Sequence, residues 1–403
     1  MQADIEHREP LPRSSLAETL TLALAARIEA GELTVTLPNG GERCFQGNTP
    51  GPEARVSVHD PQVFRRLLLR GTLAFGEAYM AGDCDSPDLV ALVELAIRND
   101  SVLMNSLDAR PWARLLPRLG RLLRPNSKPG ARRNIAWHYD LGNDFYRLWL
   151  DPSMSYSAAI FGRTGESLEA AQDRKYRQMA KLAGIGPNDR VLEIGCGWGG
   201  FCSWAAREVG CHVTAVTISG DQYRYAAERI QTEGLSDRVD LRLQDYRDVA
   251  GEFDKIVSIE MLEAVGESYW PRYFETLRER LVHGGRAALQ VITIDDDHFE
   301  SYRRDVDFIQ HYIFPGGMLP SPGRLRGQVT RAGLAWHGAS PIGMHYAHTL
   351  ELWRRAFETA WPEIAELGFD ERFRRMWRYY LAYCEAGFRT GRIDVLQAAL
   401  SKT

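Results

Sequence analysis

The sequence predicts a doubly wound α/β fold with a smaller α+β domain ahead of it. Three observations carry this. From about residue 190 onward, short apolar strands alternate with helical segments, as in a parallel sheet covered on both faces. The first of these strands, 191–194, runs straight into Gly195-Cys196-Gly197-Trp198-Gly199-Gly200 and then into a helix, a strand–glycine turn–helix unit. The chain before residue 110 mixes strand and helix patterns without such a unit.

Residues 1–109 are expected to form an accessory domain. Residues 16–30 have helical apolar spacing and stop at Gly31. Residues 33–37 alternate as a strand, Pro38-Asn39-Gly40-Gly41 turns the chain, and 55–58 read as a second strand. Helices are expected over 61–70 and 89–97, and no catalytic constellation stands out. Residues 110–133 change character: eight cations fall there, and no acid occurs between Asp108 and Asp140. Leu115, Leu116, Leu119, Leu122 and Leu123 follow one helical stripe, and Arg114, Arg118 and Arg121 another. Such a linker suits an anionic membrane surface; the alternative is a solvated helix packed by its leucines.

Residues 134–403 form the second expected unit. Strands are expected near 190–194, 212–218, 238–243, 254–259 and 286–294, with helices near 168–183, 200–209, 220–233 and 270–282. Further antiparallel strands fit around 334–342, and two helices, 349–366 and 370–390, are expected to close the chain. Ligands of such sheets bind outside the carboxyl ends of the strands. That rule selects Gly195, Gly197 and Gly199, then Thr217, Ile218, Ser219 and Gln222, then Gln244, Asp245 and Tyr246, and the segment from Glu260. Glu193 stands inside the first strand, where a carboxylate can hold the glycine loop or attract a cationic ligand. A nicotinamide dinucleotide calls for an acid at the end of the second strand. Thr217 and Ser219 stand there instead, which points to S-adenosylmethionine.

Composition narrows the function. The chain has 403 residues, 44% of them hydrophobic, and a net charge of −4, so it is no polycation built for nucleic acid. The six cysteines form no C-x-x-C pair, which argues against a zinc or other metal site and for a reducing cytoplasm. No apolar run approaches the roughly 18 residues that span a bilayer, so a membrane would be met from its surface.

Six stretches in order carry a family resemblance. They are His138-Tyr139-Asp140-Leu141-Gly142-Asn143, Tyr156-Ser157, 192–199, Thr217-Ile218-Ser219-Gly220-Asp221-Gln222, Leu243-Gln244-Asp245-Tyr246-Arg247-Asp248, and 312–321. With Cys384 ahead of Phe388, they closely resemble the cyclopropane-fatty-acyl-phospholipid synthases and mycolic acid methyltransferases. The resemblance covers at least residues 134–390 and implies a Rossmann-like class I methyltransferase fold with a helical cap. It implies methyl or methylene transfer from S-adenosylmethionine to the double bond of an unsaturated membrane phospholipid. A peripherally membrane-associated homodimer in the cytoplasm is also implied. Tyr156, Ser157, Gly195, Gly197, Thr217, Gln222 and Asp245 should line the cofactor site, and the C-terminal helices with 312–320 should wall an acyl-chain tunnel. Cys384 occupies a position once regarded as nucleophilic, although direct transfer needs no covalent intermediate.

Cyclopropane synthases of the family are thought to hold bicarbonate as the base. Of its ligands, Glu263, Ile292 and Tyr346 match; the cysteine position is Ala158 and the histidine position Gln290. Glu260 stands where the family usually has glycine, three residues before Glu263, and the two would share a face if helical. Glu260 is therefore expected to replace bicarbonate, or to stabilise the cation, as a built-in carboxylate, the alternative being a glutamate that pairs with a cation or caps a helix; a methyl- or methylene-branched product becomes the alternative to a ring. Rival classes are a small-molecule methyltransferase and a lipid-binding protein without catalysis.

Overall fold

The computed structural model describes residues 15–107 and 141–403. The basic stretch 110–133 and the His138-Tyr139-Asp140 part of the resemblance lie outside them. The chain divides into two compact units, Met1–Ala113 and Arg114–Thr403.

The first unit is a four-stranded sheet with helices. Its strands are β1 (Ala30–Thr36), β2 (Glu42–Gln46), β3 (Thr49–Val58) and β4 (Cys84–Asp85), in the order β2-β1-β3-β4. The first helix, Leu16–Ala25, ends sooner than its apolar spacing suggests. Ala30 already pairs with Thr49, and Gly31 lies inside β1, where a Cβ would come within 2.4 Å of the Pro52 carbonyl oxygen. Gly31 therefore answers to a close strand neighbour, not to a helix stop. The helix expected to end at Arg70 breaks at Gly71 and continues to Ala81.

The second unit carries a seven-stranded sheet of β5 (Arg190–Ile194), β6 (His212–Thr217), β7 (Val239–Leu243), β8 (Phe253–Ile259), β9 (Leu281–Ile294), β10 (Leu334–Pro341) and β11 (Ile393–Lys402). Its order is β10-β11-β9-β8-β5-β6-β7. The five strands from β9 to β7 are parallel; β11 pairs antiparallel with both β9 and β10. Both faces are covered, as the apolar strands predict. Leu192 and Ile194 join a core with Phe274 and Leu277, while Val191 joins Tyr176, Met179 and Phe201 on the other face. Glu193 shares the face of Val191 because side chains alternate along a strand.

Two expectations are corrected here. The chain does not close on two helices: Gly343–Thr359, Trp361–Glu366 and Glu371–Arg389 are followed by β11, inserted between β9 and β10. Val395, Ala398 and Leu400 of β11 are buried, but so is Gln397, which breaks a clean alternation in the sequence. Glu260 is not helical: its φ is +48°, and the short helix Leu262–Val265 begins only after it.

Sheet order fixes where a ligand can go. The chain runs outward from β5 through β6 to β7, then returns to the other side of β5 with β8 and β9. The crevice at this reversal lies between the ends of β5 and β8. A Cβ on Gly195 would lie 2.7 Å from Met261 Cγ across it.

Candidate active site

The glycine turn after β5 forms one end of the crevice. Gly195 has φ +84° and Gly197 φ +52°, a region costly to residues with a Cβ. Nothing lies within 4 Å of where a Gly197 Cβ would project, so backbone faces open space there. Glu193 is buried beside Cys202, whose thiol donates to the Gly199 carbonyl at 3.3 Å. Burial raises its carboxyl to about 8. One of its oxygens, Oε2, has no hydrogen-bond partner among the described residues.

After β6, Thr217 Oγ1 donates to Gln222 Oε1 at 2.9 Å and accepts from the Ser219 N–H at 3.2 Å. Ser219 caps the helix Gly220–Thr232, and Ile218 between them is half-exposed. After β7, the Gln244 N–H donates to the Thr217 carbonyl at 2.9 Å. Asp245 is buried and paired two-pronged with Arg247, at 2.8 and 2.6 Å. Tyr246 joins the core and meets Tyr273 edge-on at 5.6 Å. Tyr156 lies among Tyr146, Trp149 and Trp353, its hydroxyl 2.7 Å from that of Tyr380.

Beyond β8 the crevice becomes a buried polar nest. Glu260 Oε1 accepts from the Ala158 N–H at 2.8 Å and from Gln290 Nε2 at 2.7 Å, and the Tyr346 hydroxyl lies on the side of the same carboxylate and favours its charged form. Burial pushes the Glu260 carboxyl up; the bonds from Gln290 and Ala158, the charge of Lys175 and the Tyr346 hydroxyl oppose that. Holding a glutamate at positive φ costs about 1 kcal/mol or more, so the nest over-determines this position. Glu263 is bonded through Oε1 to the Ile292 N–H, and its Oε2 has no hydrogen-bond partner among the described residues. Burial first, then the charge of Glu260, lifts Glu263 to about 8.

Cys384 is half-buried on the helix Glu371–Arg389, and burial holds its thiol well above the ordinary cysteine range. A protonated thiol is a poor nucleophile. The 312–320 segment is seated here too: the Met318 N–H donates to the Glu263 carbonyl at 2.8 Å, and the Phe314 and Tyr380 rings lie 6.3 Å apart.

The Mycolic acid cyclopropane synthetase family model matches residues 126–398. The chain belongs to that family. Tuberculostearic acid methyltransferase UfaA1 of Mycobacterium tuberculosis is 43% identical over 356 residues, covering 85% of this chain and 82% of that protein. Cyclopropane-fatty-acyl-phospholipid synthase of Escherichia coli K12 is 36% identical over 363 residues, covering 89% and 90%. The solved mycolic acid cyclopropane synthase CmaA1, complexed with SAH and CTAB, superposes with a TM-score of 0.64 at 30% identity, covering 67% of this chain and 98% of that one. This member of the family is therefore an S-adenosylmethionine-dependent methyltransferase with a Rossmann-like fold. Its crevice fits that cofactor: the backbone at Gly197 faces open space, and Thr217, Ser219 and Gln222 converge at the end of β6 beside it. Bicarbonate fits less well. The Ala158 N–H and Gln290, two of the five positions assigned to that ion, are bonded to Glu260, and Tyr346, a third, lies beside it.

Sequence reasoning missed Lys175 and Gln397. Lys175 is wholly buried on the helix Leu168–Ala183, with Nζ donating to Ser157 Oγ at 2.8 Å. Burial lowers it to about 8, although the charges of Glu260, Asp151 and Glu193 favour its cation. A signal existed: Ala171, Lys175 and Met179 share one buried stripe at helical spacing, and a lysine inside such a stripe is anomalous. Gln397 Nε2 donates to Gln290 Oε1 at 2.8 Å, a contact invisible until β11 is placed.

Proposed function

We propose that this enzyme methylates the double bond of an unsaturated acyl chain in a membrane phospholipid, with Glu260 as the base. The supporting observation is the seat of the Glu260 carboxylate on the Ala158 N–H and the Gln290 amide, two positions that the resemblance gives to bicarbonate, with Tyr346, a third, beside it. The 43%-identical relative, named for tuberculostearic acid methylation, favours a branched over a ring product. The cations of 110–133 suit an anionic bilayer surface. Among the described residues no helix is long and apolar enough to cross a membrane.

When bound, S-adenosylmethionine supplies a methyl group on a positively charged sulfur, which keeps the bonding electrons. Tyr156, Ser157, Gly195, Gly197, Thr217, Ser219 and Gln222 would hold the cofactor. The alkene is a weak nucleophile, so the crevice must orient it and exclude water. Its π pair forms the new carbon–carbon bond and leaves a cation on the neighbouring acyl carbon. The rings of Tyr346 and Tyr380 and the Glu260 charge stabilise that cation. A hydride shift brings the positive charge to the methylated carbon. Glu260 then takes a proton from the added methyl, and the released C–H pair becomes a methylene double bond. Glu260 must be ionised to act, so activity rises with pH through its raised pKa.

The test uses vesicles of a defined mono-unsaturated phospholipid, S-adenosylmethionine and degassed buffer, with proton NMR of the extracted chains. The expected product carries vinylidene protons, and its yield is independent of added bicarbonate. Upfield cyclopropane protons, together with a bicarbonate requirement that persists in Glu260→Gln, would sink the proposal.

A further inference from the structure

We infer that Gln397 is a positioning residue for Glu260, acting through Gln290: its amide N–H fixes which end of the Gln290 amide faces the carboxylate. This rests on the reading of Glu260 as base. Gln290 on β9 and Gln397 on β11 are register partners, and both are buried. Gln290 uses both its N–H bonds, toward Glu260 Oε1 at 2.7 Å and the Ala158 carbonyl at 3.2 Å. Its own oxygen accepts from Gln397 Nε2 at 2.8 Å.

A glutamine amide has nearly the same shape either way round, so its partners decide its orientation. Turned over, Gln290 would set an oxygen against the Glu260 carboxylate and an N–H against that of Gln397. By donating to the Gln290 oxygen, Gln397 adds a hydrogen bond to the orientation that offers an N–H to Glu260. The relay's open valence is the Gln397 oxygen, which has no hydrogen-bond partner among the described residues. The dissatisfied atom lies one amide beyond Gln290 and not at the carboxylate.

The other titratable groups acting on Glu260 come from three helices. Lys175 lies on Leu168–Ala183, Glu263 on Leu262–Val265 and Tyr346 on Gly343–Thr359. Asp151 and Glu193 act on Lys175 in turn. None of them touches the far side of Gln290 in the way Gln397 does.

The experiment is the pH dependence of single-turnover methyl transfer to mono-unsaturated phospholipid vesicles. It compares wild type, Gln290→Leu, Gln397→Leu and the double variant, with Gln397→Met as a second probe should the leucine fail to fold. Loss of a donor to an ionised carboxylate raises its pKa. In Gln397→Leu the acid limb should move up by about half to one pH unit, and no further than in Gln290→Leu. The double variant should match Gln290→Leu, and calorimetric affinity for S-adenosylmethionine should hold. A wild-type limb in Gln397→Leu, or a double variant shifted beyond Gln290→Leu, overturns the inference and leaves Glu260 as base. Retained turnover with an intact limb in Glu260→Gln removes both.

Discussion

The two ends of the crevice are built by different means. At the cofactor end, backbone makes the surface and partners are near in sequence: Thr217 bonds Gln222, and Asp245 bonds Arg247. At the carboxylate end, side chains make the surface and partners are distant: Glu260 meets Ala158, Gln290 and Tyr346. Glycine geometry and local capping suffice for holding a ligand. Placing one charge in a dry site takes donors from several elements, because an unpaired buried carboxylate is far costlier than an unpaired turn.

The contrast is broken most directly at Glu260. Glu260→Gln should slow single-turnover methyl transfer by about 100-fold or more, while calorimetry finds the affinity for S-adenosylmethionine within a few-fold of wild type. Equal losses of affinity and rate would mean that the two ends are not separable. Gly195→Ala tests the other end. Its new methyl would meet Met261 at 2.7 Å in a left-handed backbone, and cofactor affinity should fall by roughly tenfold or more. At saturating cofactor the acid limb of the rate profile should keep its position.

A third measurement separates the ends through stability. Glu193 and Glu263 titrate near 8 when folded, against 4.5 as free side chains. Both are therefore stabilising as neutral acids, fully so below about pH 4.5, and that stabilisation is lost as pH rises through about 8. The melting temperature should decline by several degrees between pH 5 and pH 8. Glu263→Gln stays neutral throughout, so its decline should be shallower; an unaltered slope would mean that Glu263 is ionised in the fold. The smallest effect concerns the seam. Tyr380→Phe removes the hydroxyl partner of Tyr156 and should weaken cofactor binding by about threefold, the worth of one neutral hydrogen bond. No change in calorimetry would detach Tyr156 from the cofactor end.

Legibility in the sequence follows the same division. Gly195, Gly197 and Thr217–Gln222 could be read because the turn and the cap are encoded within a few residues. Glu260 could be singled out only as an unusual residue at a glycine position. Its left-handed backbone and its bond to Gln290 depend on β8 and β9 lying side by side. β11 escaped because a strand buried on both faces shows no alternation, and its Asp394 and Gln397 are polar for reasons of partnership. Gly31 was misread for a similar reason: the neighbour that demands it, Pro52, belongs to another strand. Lys175 hid within an amphipathic helix as one more cation.

Because β11 lies between β9 and β10, the order of synthesis is not the order of the strands in the sheet. β10 leaves the ribosome first, yet its strand partner in the finished sheet is β11, residues 393–402, which in turn pairs with β9. A nascent chain halted before that point could shape the glycine turn but would leave Gln290 without its brace. The chemical centre is thus complete only when the last strand of the chain is in place.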